Sequence, residues 1–280
     1  MGTTLLKEKR IRMKKYKLAI IGSGSLGSII ARVVSKQMHD EYEILGVQSG
    51  RLENAIKLAN EIGCKAYKSL DEAINDKPDY IIEAASPDVF KEIGVKILSN
   101  GISLVPLSVG ALADKDFYNN VKATASENNC RVHIPAGAVG GFDVLRASMS
   151  MEDAKVSITT EKSPQSLNGA PFLKGRKLSE EKAEEIFSGY AMEAIEYFPE
   201  NVNVAVTTAL ATIGVENTKV SINSIPGFES NMHEIKLEGD TVNVTVIVET
   251  TPSEDNPKSS SLAAYSVISV LENLVSPITF

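Results

Sequence analysis

The sequence predicts an α/β protein: a doubly wound parallel sheet, followed by an α+β unit whose open sheet is mainly antiparallel. Three observations carry that prediction. Apolar strand-like runs alternate with amphipathic helical stretches from residue 16 to about residue 134, the pattern of a parallel sheet covered on both faces. The first apolar run, Lys17–Ile21, ends at a glycine-rich turn, Gly22-Ser-Gly24-Ser-Leu-Gly27. Beyond about residue 140, strands follow one another with few helices between them.

In chain order, the opening strand and its turn lead into a helix with Leu26, Ile29, Ile30, Val33 and Val34 at helical spacing. A second strand is expected at Glu43–Val47. Helices at 53–62, 70–75, 87–99 and 114–128 then alternate with strands at 65–67, 80–84, 102–105 and 131–134. In the second part, strands are predicted at 155–160, 217–223, 232–237 and 241–249, and helices at 179–190 and 201–213. Val242, Val244, Val246 and Val248 share one face, and Gly239-Asp240 makes the turn before them, so 232–249 reads as a hairpin. A last helix, 259–275, carries Ala263, Val267, Val270, Leu271 and Leu274 on one face and is expected to pack back on the first domain. The expected division is a disordered leader at 1–15, a dinucleotide-binding domain at 16–138, a substrate and dimerisation domain at 139–256, and the returning segment at 257–280.

Composition narrows the function. Hydrophobic residues are 43% and charged residues 23% of 280, ordinary globular usage that excludes a disordered or collagen-like chain. No apolar run approaches the roughly 18–20 residues of a membrane helix. Two cysteines, Cys64 and Cys130, without a Cys/His cluster, argue against a disulfide framework or a metal site and point to a reducing, cytoplasmic setting. Residues 1–17 carry seven Lys/Arg against Glu8, so with a chain charge of −7 the remaining 263 residues sum to −13. A body that acidic, with 6% aromatics and no Trp, is a poor nucleic-acid partner.

The glycine turn follows a strand and opens a helix, the context that makes GxGxxG a dinucleotide fingerprint and the sheet Rossmann-type. Gly22 permits the tight turn, Gly24 lets a pyrophosphate approach the backbone, and Gly27 allows close helix–strand packing. Ser25 and Leu26 open the helix, whose N-terminal N–H groups face the phosphates. After the second strand comes Gln48-Ser49-Gly50-Arg51, with no carboxylate to bind a ribose 2′-OH or to repel a 2′-phosphate. Ser49 and Arg51 can hold that phosphate, which predicts NADP used at least as well as NAD; alternatively, Arg51 is a solvated residue at a helix start.

Of three histidines, His39 lies in a polar stretch and is expected to be exposed, and His133 falls in an expected interior strand with a packing role. His233 shares a strand face with Ile235 and Leu237. It is either a satisfied structural histidine or an acid–base group facing the cleft. Pro135-Ala-Gly-Ala-Val-Gly-Gly-Phe-Asp143 follows the last sheet strand, where ligands of open α/β sheets bind. Asn203, in Phe198-Pro-Glu-Asn-Val-Asn-Val-Ala205, can bond a nicotinamide or ribose, or cap a helix.

At these residues the chain resembles the L-aspartate dehydrogenase family over almost all of 16–275. The specific segments are Glu83-Ala-Ala-Ser, Ser108-Val-Gly-Ala-Leu112, Pro135–Asp143, Phe198–Ala205, Asn231-Met-His-Glu-Ile235 and Asn256-Pro-Lys-Ser-Ser. The resemblance implies NAD(P)-dependent oxidation of L-aspartate to iminoaspartate, then oxaloacetate and ammonia, with a place in NAD biosynthesis and a homodimer built on the second sheet. It assigns the catalytic role to His233 and cofactor contacts to Ala138 and Asn203, with Ala84 and Ala85 alongside. Ser108 and Lys162 are candidates to hold the substrate carboxylates. The chain departs from the family at Gln48-Ser49, where an acidic residue is usual, and at Glu161, which replaces a cation. Rival readings are a related two-domain reductase, of homoserine dehydrogenase or dihydrodipicolinate reductase type, and a non-catalytic NAD(P)-binding sensor.

Overall fold

The computed structural model describes residues 15–198, 202–251 and 260–280. Residues 1–14 of the expected leader, the Pro199-Glu-Asn201 stretch, and all but the last residue of the 256–260 motif lie outside the described residues.

The first unit runs β1 (Tyr16–Ile21), α1 (Ser25–Gln37), β2 (Tyr42–Gln48), α2 (Leu52–Ile62), β3 (Lys65–Tyr67), α3 (Leu70–Asn75), β4 (Tyr80–Glu83), α4 (Pro87–Ser99), β5 (Ser103–Pro106) and α5 (Lys115–Glu127). Its five strands are all parallel in the order β3-β2-β1-β4-β5. The order reverses between β1 and β4, and the carboxyl ends of those strands open a crevice where ligands of this architecture bind. Helix starts are marked locally. The Ser69 and Ser86 hydroxyls accept from the Glu72 and Val89 N–H groups, and Pro87 occupies the first turn of α4.

The expected strand at 131–134 shrinks to a single parallel bridge between Val132 and Leu104. Leu104 exchanges hydrogen bonds with the Arg131 carbonyl and the His133 N–H, and Pro135 then offers no N–H to prolong the ladder. His133 is therefore at a sheet margin, half-buried against the Tyr80 ring at 5.9 Å, and not in an interior strand.

The second unit contains α6 (Phe142–Met151), β6 (Lys155–Lys162), α7 (Pro164–Leu167), β7 (Glu184–Tyr190), α8 (Ala191–Tyr197), α9 (Asn203–Ala211), β8 (Lys219–Ser224), β9 (Asn231–Glu238) and β10 (Asn243–Thr250). Its sheet has the order β10-β9-β6-β8-β7, antiparallel except between β6 and β8. The helix expected at 179–190 is corrected. Glu184–Tyr190 is a strand paired with β8 through a bulge between Glu185 and Phe187, and the helix begins only at Ala191. Its Glu-, Lys- and Ala-rich sequence favours helix. Burial of Ile186, and of Phe187 among the rings of Phe172, Tyr197 and Phe198, overrides that propensity.

The last helix, α10 (Leu262–Val275), lies against α1 and the face of the first sheet formed by Leu18, Ile20 and Ile82. The buried Tyr42 hydroxyl donates to the Leu271 carbonyl at 2.7 Å. The opposite face, with Ala19, Ile21 and Ile81, joins a core continuous with Ile158, Ile235 and Leu237 of the second sheet. That shared core fixes the crevice against β6 and β9.

Candidate active site

A cleft of about 640 Å³ lies between the carboxyl ends of the first sheet and the inner face of the second. The turn after β4 contributes Ala84 and Ala85, α1 contributes Leu26, and the segment after β5 contributes Ser108. Ala138 and Asn203 line it from the connecting segment and α9, and Lys162 and His233 from the second sheet. Eight residues singled out in the sequence therefore share one cavity, though they span positions 26 to 233.

Strand alternation sets the second wall. Along β9, Asn231, His233, Ile235 and Leu237 point inward while Lys236 and Glu238 face solvent. His233 is 3% exposed, and its Nδ1 lies 2.9 Å from Oγ1 of Thr160, its cross-strand neighbour on β6. Burial, reinforced by the Lys162 ammonium, pushes the imidazole down to about 3, so it is neutral at neutral pH. Lys162 ends β6, is 3% exposed, and is brought by burial down to about 8. Asn231 is 2% exposed, and both polar atoms of its amide lack a hydrogen-bond partner among the described residues. A buried primary amide in that state calls for a polar partner, which a water or a ligand in the cleft it lines can supply.

The first wall is held by a buried carboxylate. Glu83, at the end of β4, is fully buried. Its Oε1 accepts from the Ala85 N–H at 2.7 Å and from the Ser108 hydroxyl at 2.8 Å, and its Oε2 from the Ser108 N–H at 3.1 Å. Burial pushes its carboxyl upward, and these donors oppose that shift. Asn203 is the first residue of α9 and does not cap it. Its Oδ1 accepts from the Gly110 N–H at 2.8 Å, which leaves the amide NH₂ to donate into the cleft.

The glycine turn fits a dinucleotide. Gly22 has φ +111°, and a Cβ there would overlap the Ala84 carbonyl; one on Gly27 would overlap the Gly22 carbonyl. A Cβ on Gly24 would meet nothing within 4 Å. Two glycines thus pack the turn closely and the third leaves the backbone open to an approaching phosphate. The first-turn N–H groups of α1 lack intrahelical acceptors by geometry and supply donors there. Gly24 and Ser25 also border a smaller cavity of about 370 Å³. Ser49 is tied to the turn, its Oγ accepting from the Ser23 hydroxyl at 2.8 Å. Arg51 is exposed at the start of α2 and borders neither cavity.

Among the remaining candidates, the His39 side chain is 65% exposed beside Asp40. Among the described residues, no group of three or more His, Cys, Asp or Glu is placed to hold a metal ion, and no helix is long and apolar enough to cross a membrane. Sequence reasoning missed Thr160, Asn231 and Glu83. Asn231 stands two residues before His233 on the same strand face, a period-2 signal that was available. Thr160 becomes visible only once the β6–β9 register is known.

Comparisons with known proteins follow the same division. Residues 143–274 match the family described as aspartate dehydrogenase, C-terminal, and residues 22–135 the homoserine dehydrogenase NAD-binding domain. The L-aspartate dehydrogenase of Methanosarcina mazei is 38% identical over 267 residues, covering 94% of this chain and 98% of that protein. That of Methanococcus maripaludis is 35% identical over 263 residues, with the same coverages. Among solved structures, the aspartate dehydrogenase of Thermotoga maritima superposes with a TM-score of 0.75 at 26% identity, covering 95% of this chain and all of that one. A hyperthermophilic archaeal homoserine dehydrogenase bound to NADPH, with a TM-score of 0.56 at 14% identity, shares the fold.

Proposed function

The chain belongs to the L-aspartate dehydrogenase family and is an oxidoreductase, and from that premise we propose that it oxidises L-aspartate to iminoaspartate, which hydrolyses to oxaloacetate and ammonia. The observation that carries this reading is the buried pairing of His233 with Thr160, in a cleft lined also by Lys162 and Asn231 and, from the glycine turn, by Leu26. A dinucleotide would be held by Gly22, Gly24, Ser25, Leu26 and Gly27, together with Ala84, Ala85, Ala138 and Asn203, and would supply the hydride acceptor.

The chain's own groups perform the rest. Lys162 is cationic below about pH 8 and lines the same cleft as Asn231, whose amide lacks a partner among the described residues; together they bind the substrate carboxylates. His233, neutral and oriented by Thr160, takes a proton from the water that attacks the imine carbon and returns it to the departing ammonia. Its Nδ1–H donates to Thr160 in the competent tautomer, leaving Nε2 as the base. Burial is the main cause of the depressed imidazole; a dicarboxylate beside Lys162 offsets the smaller, cationic contribution and raises the basicity in part.

NADP serves at least as well as NAD, because the loop after β2 offers Ser49 and Arg51 and no carboxylate. The enzyme acts in the cytoplasm as a homodimer, and iminoaspartate withdrawn before hydrolysis would feed NAD biosynthesis. The test is reduction of NAD and NADP with L-aspartate, and the reverse reaction with oxaloacetate and ammonium. A folded protein that binds cofactor but reduces none with aspartate, while turning over homoserine, would transfer the assignment to the homoserine dehydrogenase type.

A further inference from the structure

We infer that Ser108 receives an N–H donor, either the substrate amino group or the carboxamide of the cofactor, and that Glu83 is the residue positioning it for that task. The inference rests on the proposed aspartate chemistry and deepens it.

A serine hydroxyl has one proton and two lone pairs. The Ser108 proton is directed at Glu83 Oε1, 2.8 Å away, while the backbone N–H groups of Ala85 and Ser108 converge on the same carboxyl at 2.7 and 3.1 Å. A donate-only backbone N–H meets each oxygen, that of Ala85 at Oε1 and that of Ser108 at Oε2, which favours the acceptor-only carboxylate against the upward push of burial. Ser108 then shows the cleft lone pairs alone. With an anion behind it, its oxygen attracts N–H donors and repels carboxylates. This reverses the polarity expected of Ser108 as a carboxylate ligand. It leaves the substrate carboxylates to Lys162 and Asn231 on the opposite wall.

The fold makes the pair. Glu83 closes β4 and registers with Pro106 on β5, so Ser108 emerges beside it at the carboxyl ends of the sheet. The same carboxylate fixes the Ala85 N–H and therefore the turn that faces the cofactor. A buried anion at this point serves a polarity that an unsupported serine, free to rotate its proton, would not hold.

The experiment compares wild type with Ser108→Ala, Ser108→Thr and Glu83→Gln in three readouts. These are KM for L-aspartate, the inhibition constant of succinate (a dicarboxylate without an amine), and calorimetric affinity for oxidised cofactor and its 3-acetylpyridine analogue, which lacks the carboxamide NH₂. If the donor is the substrate amine, Ser108→Ala and Glu83→Gln raise KM about tenfold, the effect of about one hydrogen bond, and leave succinate inhibition unchanged. If the donor is the carboxamide, they weaken the natural cofactor about tenfold and leave the analogue unchanged. Ser108→Thr, which keeps the hydroxyl, recovers part of what Ser108→Ala loses in either case. Succinate inhibition weakened in parallel with KM overturns the inference, as does an unchanged response in all three readouts. Wild-type protein inactive with aspartate would refute the functional reading alone; the cofactor comparison then decides for or against Ser108 by itself.

Discussion

At His233 the deciding neighbour is a hydroxyl. Thr160 Oγ1 sits 2.9 Å from Nδ1 and holds the ring's orientation, so Thr160→Val, which keeps the shape and loses the bond, should lower kcat about tenfold with little change in succinate inhibition. Lys162 sets a different dependence. Its ammonium is present below about pH 8 and lost above it, so the succinate inhibition constant of wild type should rise as pH passes that value. His233, neutral above about 3, does not titrate in that window. Lys162→Met should bind succinate weakly and without that pH dependence; a wild-type constant flat from pH 6 to 10 would remove Lys162 from carboxylate binding. Strand parity alone brought His233 to the inner face in the sequence. The polarity of Ser108 was not legible there, because it depends on Glu83, 25 residues away.

At the scale of elements, the glycine turn carries the most meaning per residue. Gly22→Ala must place a Cβ against the Ala84 carbonyl at φ +111°, so we expect loss of at least about 1–2 kcal/mol of stability together with weakened cofactor binding. Thermal unfolding with and without cofactor checks both, and an unchanged melting temperature would contradict the packing account. Elements of the first unit were legible because each is short, periodic and punctuated, as Ser69, Ser86 and Pro87 show for α3 and α4. Glu184–Tyr190 was not, since its local propensity is helical and only pairing with β8 and the ring cluster around Phe187 reveals a strand. The strand expected at 131–134 failed for the opposite reason: its residues suit a strand, but Pro135 and the sheet margin end the ladder after one bridge.

Across the whole molecule, an acidic protein binds anions. The chain carries −7, yet the proposed ligands are a dicarboxylate and a phosphorylated cofactor, so attraction has to be local. On the proposed reading it comes from Lys162, from the N-terminus of α1, and, for a 2′-phosphate, from Arg51 at the start of α2. The last of these predicts that kcat/KM with NADP at least equals that with NAD, and that Arg51→Glu lowers the NADP value by roughly tenfold or more through like-charge repulsion while sparing NAD. A wild-type preference for NAD by a hundredfold would contradict the coenzyme assignment. The cleft joins residues from both units because one core runs between them, which periodicity in a single chain cannot display. The most direct test of the account is initial-rate reduction of NAD(P) by L-aspartate in wild type and His233→Ala, with cofactor affinity measured alongside. The account predicts turnover in the wild type and a fall of roughly 10²–10⁴-fold in the variant at unchanged cofactor affinity; near-normal turnover in the variant would contradict it.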